Sequence, residues 1–167
     1  MYVIPGHVVV SSSTATFTIN RVRYFPIFID TVTTFDQLLA EVTVAGLAGE
    51  TFRAALYNAD ADLQPTTLIQ DFGTLPADAV ALISYTVDLT LPPGRYLLAL
   101  NTNSATATLR EMRTAHLFTD DLAANMGINQ YFVAQAYGAF PDPGAQWSSI
   151  GQDTGTGLRH FFVWRPV

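Results

Sequence analysis

Residues 83–91 alternate strictly between apolar and polar side chains. The odd positions hold Ile, Tyr, Val and Leu, and the even positions hold Ser, Thr or Asp. This period of two predicts a β-strand with one buried face and one face in water. Pro92, Pro93 and Gly94 follow, and because they can continue neither a helix nor a strand ladder, they predict a reversal of the chain before residues 95–100.

Other segments show strand character and are separated by turn residues. Thr alternates with Ala15, Phe17 and Ile19, which predicts that these three point inward. Pro26 predicts that its strand is an edge strand or carries a bulge. The remaining segments are residues 8–10, a face of Leu38, Ala40, Val42 and Val44, residues 51–58, a short apolar patch at 67–69, and residues 106–112, 131–136 and 159–165.

One short helix is indicated at residues 121–126, with Thr119 or Asp120 as its cap and Gly127 at its end. The chain therefore has about nine or ten strands and little else. We predict an all-β fold: an antiparallel β-sandwich of jelly-roll type with at most one short helix, forming a single domain over residues 1–167.

The chain carries few charges. Charged residues make up 13% of the sequence, against about 25% in ordinary soluble domains. Interface cores are depleted of charge, so we favour burial of surface against other subunits over a lineage preference for neutral polar residues. The net charge is −6 and all 8 basic residues are arginine, which argues against nucleic acid as a partner.

The sequence also indicates the compartment and the chemistry to expect. No apolar run reaches the about 20 residues of a membrane span, and the N-terminus lacks the features of a secretory signal, so we expect synthesis in a cytosol and no membrane partner.

Cys is absent. We find no nucleophile elbow, zinc-protease motif or phosphate loop, and we interpret His7, His116 and His160 as structural. We predict that the protein is not an enzyme.

Asn58, Asp60 and Asp62 place oxygen-bearing side chains at alternate positions, a spacing that suits Ca²⁺. An EF-hand loop counted from Asn58 would need Gly and Glu where Leu63 and Ile69 stand. Asx residues also form turns by bonding their own backbone, and we favour a turn over a metal site. Ca²⁺ is the one cofactor considered.

Aromatic residues are dense near polar side chains between residues 131 and 147. Such rings stack on sugars while polar groups bind the hydroxyls, so we identify a candidate glycan site. Packing or a subunit interface is the favoured alternative. The candidate ligand-binding residues are Tyr131, Tyr137, Phe140, Asp142, Gln146 and Trp147.

Four blocks, taken in order, carry a resemblance to a known group of proteins: residues 23–26, 52–58, 91–100 and 137–141. Together they resemble the jelly-roll domains at the C-termini of tailed-phage fibre and tail proteins and on phage-like particles. The similarity extends from about Arg21 to Trp164. It implies a virion surface protein, commonly a homotrimer, that is assembled in the host cytoplasm and binds other virion proteins.

In such fibres the domain usually follows an N-terminal shaft, whereas strand-like sequence here begins close to Met1. This departure favours a capsid decoration or cement protein, a head spike or a fibre component. We therefore expect a non-catalytic virion structural protein. The alternative is a host-attachment domain, either a glycan-binding fibre tip or a stand-alone lectin-like carbohydrate-binding module.

Overall fold

A computed structural model describes residues 1, 3–5, 7–116, 131–146 and 158–167. These residues form strands connected by turns and loops. The predicted helix at 121–126 lies outside the described residues. The strands are β1 (His7–Thr16), β2 (Arg21–Ile29), β3 (Thr33–Val44), β4 (Thr51–Ala59), β5 (Pro65–Pro76), β6 (Ala81–Leu91), β7 (Gly94–Thr102), β8 (Thr108–His116), β9 (Tyr131–Ala134), β10 (Leu158–His160) and β11 (Val163–Pro166).

The first eight strands pair as nested antiparallel partners: β1 with β8, β2 with β7, β3 with β6, and β4 with β5. One sheet has six strands, with the order β1-β8-β3-β11, β6 also paired with β3 and β10 paired with β8. The other sheet has five strands, in the order β5-β4-β7-β2-β9. Nested pairing of this kind, split between two sheets, is the jelly-roll arrangement. The predicted all-β antiparallel sandwich is confirmed. The turn at Pro92 and Pro93 carries the chain from β6 in the six-stranded sheet to β7 in the five-stranded sheet.

The main core lies between the two sheets. The alternation along β6 is confirmed, because Ile83, Tyr85 and Val87 are buried while the even positions are exposed. On β4, Phe52, Ala54 and Leu56 point into the same core. Burial of these apolar side chains is the main favourable contribution to the fold.

The C-terminal strands β10 and β11 lie where β8 and β3 of the six-stranded sheet diverge. β3 and β8 pair directly only where Val42 and Val44 meet Leu109 and Thr108. Beyond this point β10 pairs with β8 and β11 pairs with β3. The single strand predicted at 159–165 is therefore two strands, separated by the buried Phe161 and Phe162, which pack into the core with Trp164.

Several local predictions differ from the structure. The patch at 67–69 is part of the longer strand β5, and Ile19 and Val44 are 43% and 51% exposed rather than inward. β2 is not an edge strand over its whole length, since β9 pairs with its first residues. Among the described residues, however, the part that contains Pro26 pairs on one side only, with β7, which suits a residue without an N–H.

Candidate functional site

The outer face of the five-stranded sheet is covered by the protein's own chain. Residues 135–146, here called the strap, follow β9 and cross this face. The N–H of Gln135 donates to the Asn20 carbonyl at 3.1 Å, and the N–H of Gly144 donates to the Thr66 carbonyl at 3.0 Å. The strap is therefore tied to the sheet by backbone hydrogen bonds near both of its ends.

A second apolar cluster, here called the outer cluster, lies beneath the strap. Ala55 and Tyr57 of β4 point to this side, opposite to the neighbours that enter the main core. Leu97 and Ala99 do the same on β7, so the continuous apolar run at 97–100 reflects a strand buried on both faces. The other buried members of the cluster are Val22, Tyr24, Leu63, Tyr131 and Phe140.

Two buried tyrosines hold the strap by their hydroxyls. Tyr57 donates to the carbonyl of Pro141 at 2.7 Å, and Tyr24 donates to the carbonyl of Ala145 at 3.2 Å. Burial raises the pKa of both phenols well above the usual value, so both remain protonated donors at neutral pH. The two rings pack edge to face with centroids 6.0 Å apart. These groups serve the packing of the strap.

Asp71 on β5 joins three parts of this face. Its Oδ2 accepts hydrogen bonds from the Arg53 guanidinium at 2.8 Å and from the Phe140 N–H at 3.3 Å. Its Oδ1 accepts from the N–H of Gly73 at 2.9 Å. Burial favours a higher pKa for this carboxyl, but the hydrogen bonds to Arg53, Gly73 and Phe140 outweigh burial and lower the pKa.

The candidate glycan residues occupy different environments along this covered face. Tyr131 and Phe140 are buried in the outer cluster, so neither ring offers a free face for stacking. The Tyr137 hydroxyl is hydrogen-bonded to Thr51, and Asp142 Oδ1 accepts from the N–H of Leu68 at 3.0 Å. Gln146 is exposed, and Trp147 lies outside the described residues. Glycan binding stays a prediction.

The candidate calcium residues lie in the turn between β4 and β5. Asp60 Oδ1 accepts from the N–H groups of Asp62 at 2.9 Å and Gln64 at 2.8 Å, which is an Asx turn. Leu63 adopts a positive φ of 60° and is buried in the outer cluster. The carbonyl of Asn58 accepts from Thr66 Oγ1 at 3.1 Å. One carboxylate oxygen of the set therefore already has two backbone partners.

Groups suited to acid–base or metal chemistry are sparse in the part of the chain that the structure describes. No group of three or more His, Asp or Glu side chains comes close enough there to hold a metal ion. His160 is buried beside the ring of Phe25, with centroids 6.2 Å apart. The described residues also include no helix long and apolar enough to cross a membrane.

The outer face of the six-stranded sheet, here called the open face, differs from the covered one. Those of its side chains that the structure describes are exposed or half-buried, with Leu39 and Val163 opposite each other on β3 and β11 and Ser84 beside Leu39 on β6. Thr14 on β1 and Thr86 on β6 extend the face toward its two edges. The face is thus a broad surface of small, apolar and hydroxyl-bearing side chains.

Two arginine–carboxylate pairs lie on the open face, and the exposed Asp88 of β6 lies there as well. The Arg110 guanidinium donates to both Glu41 oxygens at 3.0 and 3.1 Å, and Arg165 donates to both Asp36 oxygens at 2.6 and 2.7 Å. Hydrogen bonds from these arginines lower the pKa of each carboxyl partner, so both pairs remain ionised at neutral pH. The pairs contribute no net charge to the face, although the whole chain carries −6.

Sequence reasoning did not single out the open face as a candidate functional surface. The alternation on residues 38–44 indicated that positions 39, 41 and 43 point away from the core, which was the available signal. It gave no information on the partner of Glu41, because Arg110 lies 69 positions further along the chain. A broad sheet face of this kind suits contact with another macromolecular surface, since small-molecule sites are concave.

No protein-family profile matches the chain, and no curated protein matches it with significant similarity.

Proposed function

We propose that this chain is a non-catalytic virion surface protein of a tailed phage or phage-like particle, acting as a capsid decoration, head-spike or fibre component. One observation supports the proposal most: the jelly roll has one sheet face covered by its own strap and one broad face, bearing two arginine–carboxylate pairs, that no described segment covers. The open face is the surface that would contact neighbouring virion subunits.

The cost of removing charges from water favours this face as a contact surface. An unpaired charge is costly to bury in an interface, whereas a bidentate arginine–carboxylate pair enters with its hydrogen bonds already made. On the open face Arg110 and Arg165 are paired in this way. Leu39 and Val163 then supply apolar area whose removal from water contributes about 25 cal/mol per Å², before association costs are subtracted.

The strap bears on the choice between decoration and host attachment. An adhesin that binds sugars needs aromatic faces that stay open to ligand, yet Tyr131 and Phe140 are buried. Decoration is therefore the better supported role, and a glycan-binding tip or lectin-like module is the alternative. In the decoration role the protein occupies the virion surface, assembles in the host cytoplasm and contacts copies of itself, commonly as a trimer in proteins that it resembles.

The test places a charge in the middle of the open face. Val163→Glu should lower the occupancy of the protein on purified particles severalfold, measured by quantitative mass spectrometry, because the new carboxylate would be buried without a partner. Val163→Thr controls for the loss of the apolar side chain, and Ala139→Glu adds the same charge to the exposed part of the strap. Circular dichroism confirms that each variant is folded.

The outcomes separate the two roles. Reduced occupancy with Val163→Glu alone supports decoration. Normal occupancy with all three variants contradicts it. The attachment role predicts instead that Tyr137→Ala combined with Trp147→Ala lowers host binding per particle while occupancy stays normal. Absence of the protein from purified particles of its source would contradict both virion roles.

A further inference from the structure

The edge of the six-stranded sheet at β6 is long and carries few of the features that protect edges. Among the described residues β6 pairs with β3 alone. The strand has 11 residues and contains no Pro, Gly or Lys. Natural edge strands are commonly shortened or interrupted by Lys, Pro or bulges, because an unpaired row of N–H and C=O groups recruits other strands.

β6 carries one bulge, and its position divides the strand. Between the pairs Leu89–Phe35 and Thr86–Gln37, two residues of β6 lie opposite one residue of β3, so the bulge is at Val87 and Asp88. Residues 81–86 pair regularly with β3 on the N-terminal side of it. The only charged residue of β6, Asp88, therefore lies beyond the regular segment.

β5, one edge strand of the five-stranded sheet, is a poor template by comparison. β5 has three irregularities in its register with β4, begins and ends with Pro, and contains Gly73 at a positive φ of 82°. Asp71 in its middle is already engaged by Arg53 and the strap. Of these two edges, the regular half of β6 is the one that is free of such interruptions.

We propose that residues 82–86 of β6 pair antiparallel with the same segment of a second copy of this chain, about a two-fold axis at Ser84. Directly opposed residues in an antiparallel pair lie on the same face. This register therefore sets Ser84 against Ser84 and Leu82 against Thr86 on the outer side, and Ile83 against Tyr85 on the core side.

The register suits the side chains on both faces. Leu82 is 72% exposed in the single chain and would be covered by the partner copy. No charged residue lies within 81–86, so no like charges meet across the axis. The core-side residues Ile83 and Tyr85 are already buried, so the two sheets would join into one with two adjoining apolar cores.

This contact goes beyond the proposed function, since it is formed by the purified protein without a particle. A two-fold contact joins copies in pairs, which makes it distinct from a trimer contact made elsewhere on the molecule. If both form, pairs of trimers result. Failure of the β6 contact would leave particle binding through the open face to be tested separately.

A single cysteine tests the axis directly, because the chain has no Cys of its own. In Ser84→Cys the two thiols would lie on opposed residues with Cα atoms about 4.5–5.5 Å apart, within the range of a disulfide. Thr90→Cys is the matched control, since position 90 is also exposed on β6 but lies six residues from the proposed axis. The two cysteines of a Thr90→Cys pair would lie about 40 Å apart along the strands.

We expect mild oxidation to yield at least tenfold more covalent dimer with Ser84→Cys than with Thr90→Cys, measured on non-reducing gels. Equal or lower yield with Ser84→Cys would overturn the proposal. Sedimentation of the unmodified protein gives a second, independent test. The contact is supported if the average molar mass of the unmodified protein rises with concentration, and if Ser84→Lys abolishes this rise while Thr90→Lys does not. A protein that stays monomeric at the highest soluble concentration contradicts the contact.

Discussion

The backbone N–H of Phe140 donates a hydrogen bond of 3.3 Å to Oδ2 of Asp71, 69 positions earlier in the chain. The same carboxylate oxygen accepts from Arg53 at 2.8 Å. One side chain thus links two neighbouring strands to the strap that covers them. This carboxylate is therefore one of the groups that hold the strap on the covered face.

Asp71→Ala should destabilise the protein by about 1.5–3 kcal/mol, since it removes hydrogen bonds to a charged guanidinium and to two backbone N–H groups. The Arg53 and Asp71 side chains are only 23% and 20% exposed. Denaturant unfolding measures the change. Glu41→Ala is the matched control and should have a much smaller effect, because its ion pair is 39–40% exposed and surface pairs contribute little. Equal losses would contradict the role assigned to Asp71.

Stability should fall as the pH drops below about 4, the range in which unfolded carboxyls bind protons. Hydrogen bonds from Arg165, Arg110 and Arg53 lower the folded-state pKa of Asp36, Glu41 and Asp71, respectively. The pKa of Glu50 is lowered by hydrogen bonds from the Ser104 hydroxyl and the Leu47 N–H. A lowered pKa means that the unfolded chain binds more protons, so the stabilisation is present above the unfolded value and is lost as the pH falls through the folded one. Melting temperatures between pH 7 and pH 3 measure this loss. Asp71→Asn should show a shallower decline, and an unchanged slope would contradict the assignment.

Gly144→Ala should loosen the strap. A Cβ at this position would lie 2.7 Å from Cβ of Pro65 and 2.9 Å from Cε1 of Tyr57, closer than carbon atoms approach. Relief requires a shift of the strap or the ring, at a cost of about 1–3 kcal/mol. Gly138→Ala is the control within the same segment, because a Cβ there meets nothing within 4 Å. Thermal melts of both variants would show the contrast, and equal stability would argue that the strap does not pack as described.

The Asx turn at Asp60 should be stable without a metal ion. Since Asp60 Oδ1 already accepts two backbone N–H groups, we expect EDTA to leave the melting temperature unchanged. Asp60→Ala should lower stability by about 1 kcal/mol with or without calcium, through loss of these hydrogen bonds. A melting temperature that rises on calcium addition, and does so only with Asp60 present, would instead establish the metal site.

The sequence by itself determined the features that depend on neighbouring residues. The alternation over 83–91 specified a strand with one wet face, because successive side chains of a strand point to opposite sides. The double proline specified a reversal after it, and the Asx spacing at 58–62 predicted the turn that Asp60 forms. Each of these follows from local backbone geometry, and the strand count that they suggested was sufficient for the fold class.

Only the tertiary structure decided which faces are covered and which residues meet. The order of strands in the two sheets brings together residues that are far apart in the chain. Phe140 lies 69 positions from Asp71, Arg110 lies 69 positions from Glu41, and Arg165 lies 129 positions from Asp36. The same holds for the C-terminal strands, which insert between β8 and β3 because those strands diverge beyond Val42. A local sequence pattern indicates that a side chain is buried, but the topology of the fold determines which layer packs against it. For that reason the aromatic residues near 131–147 were visible in the sequence, while the neighbours that bury Tyr131 and Phe140 in the outer cluster were not.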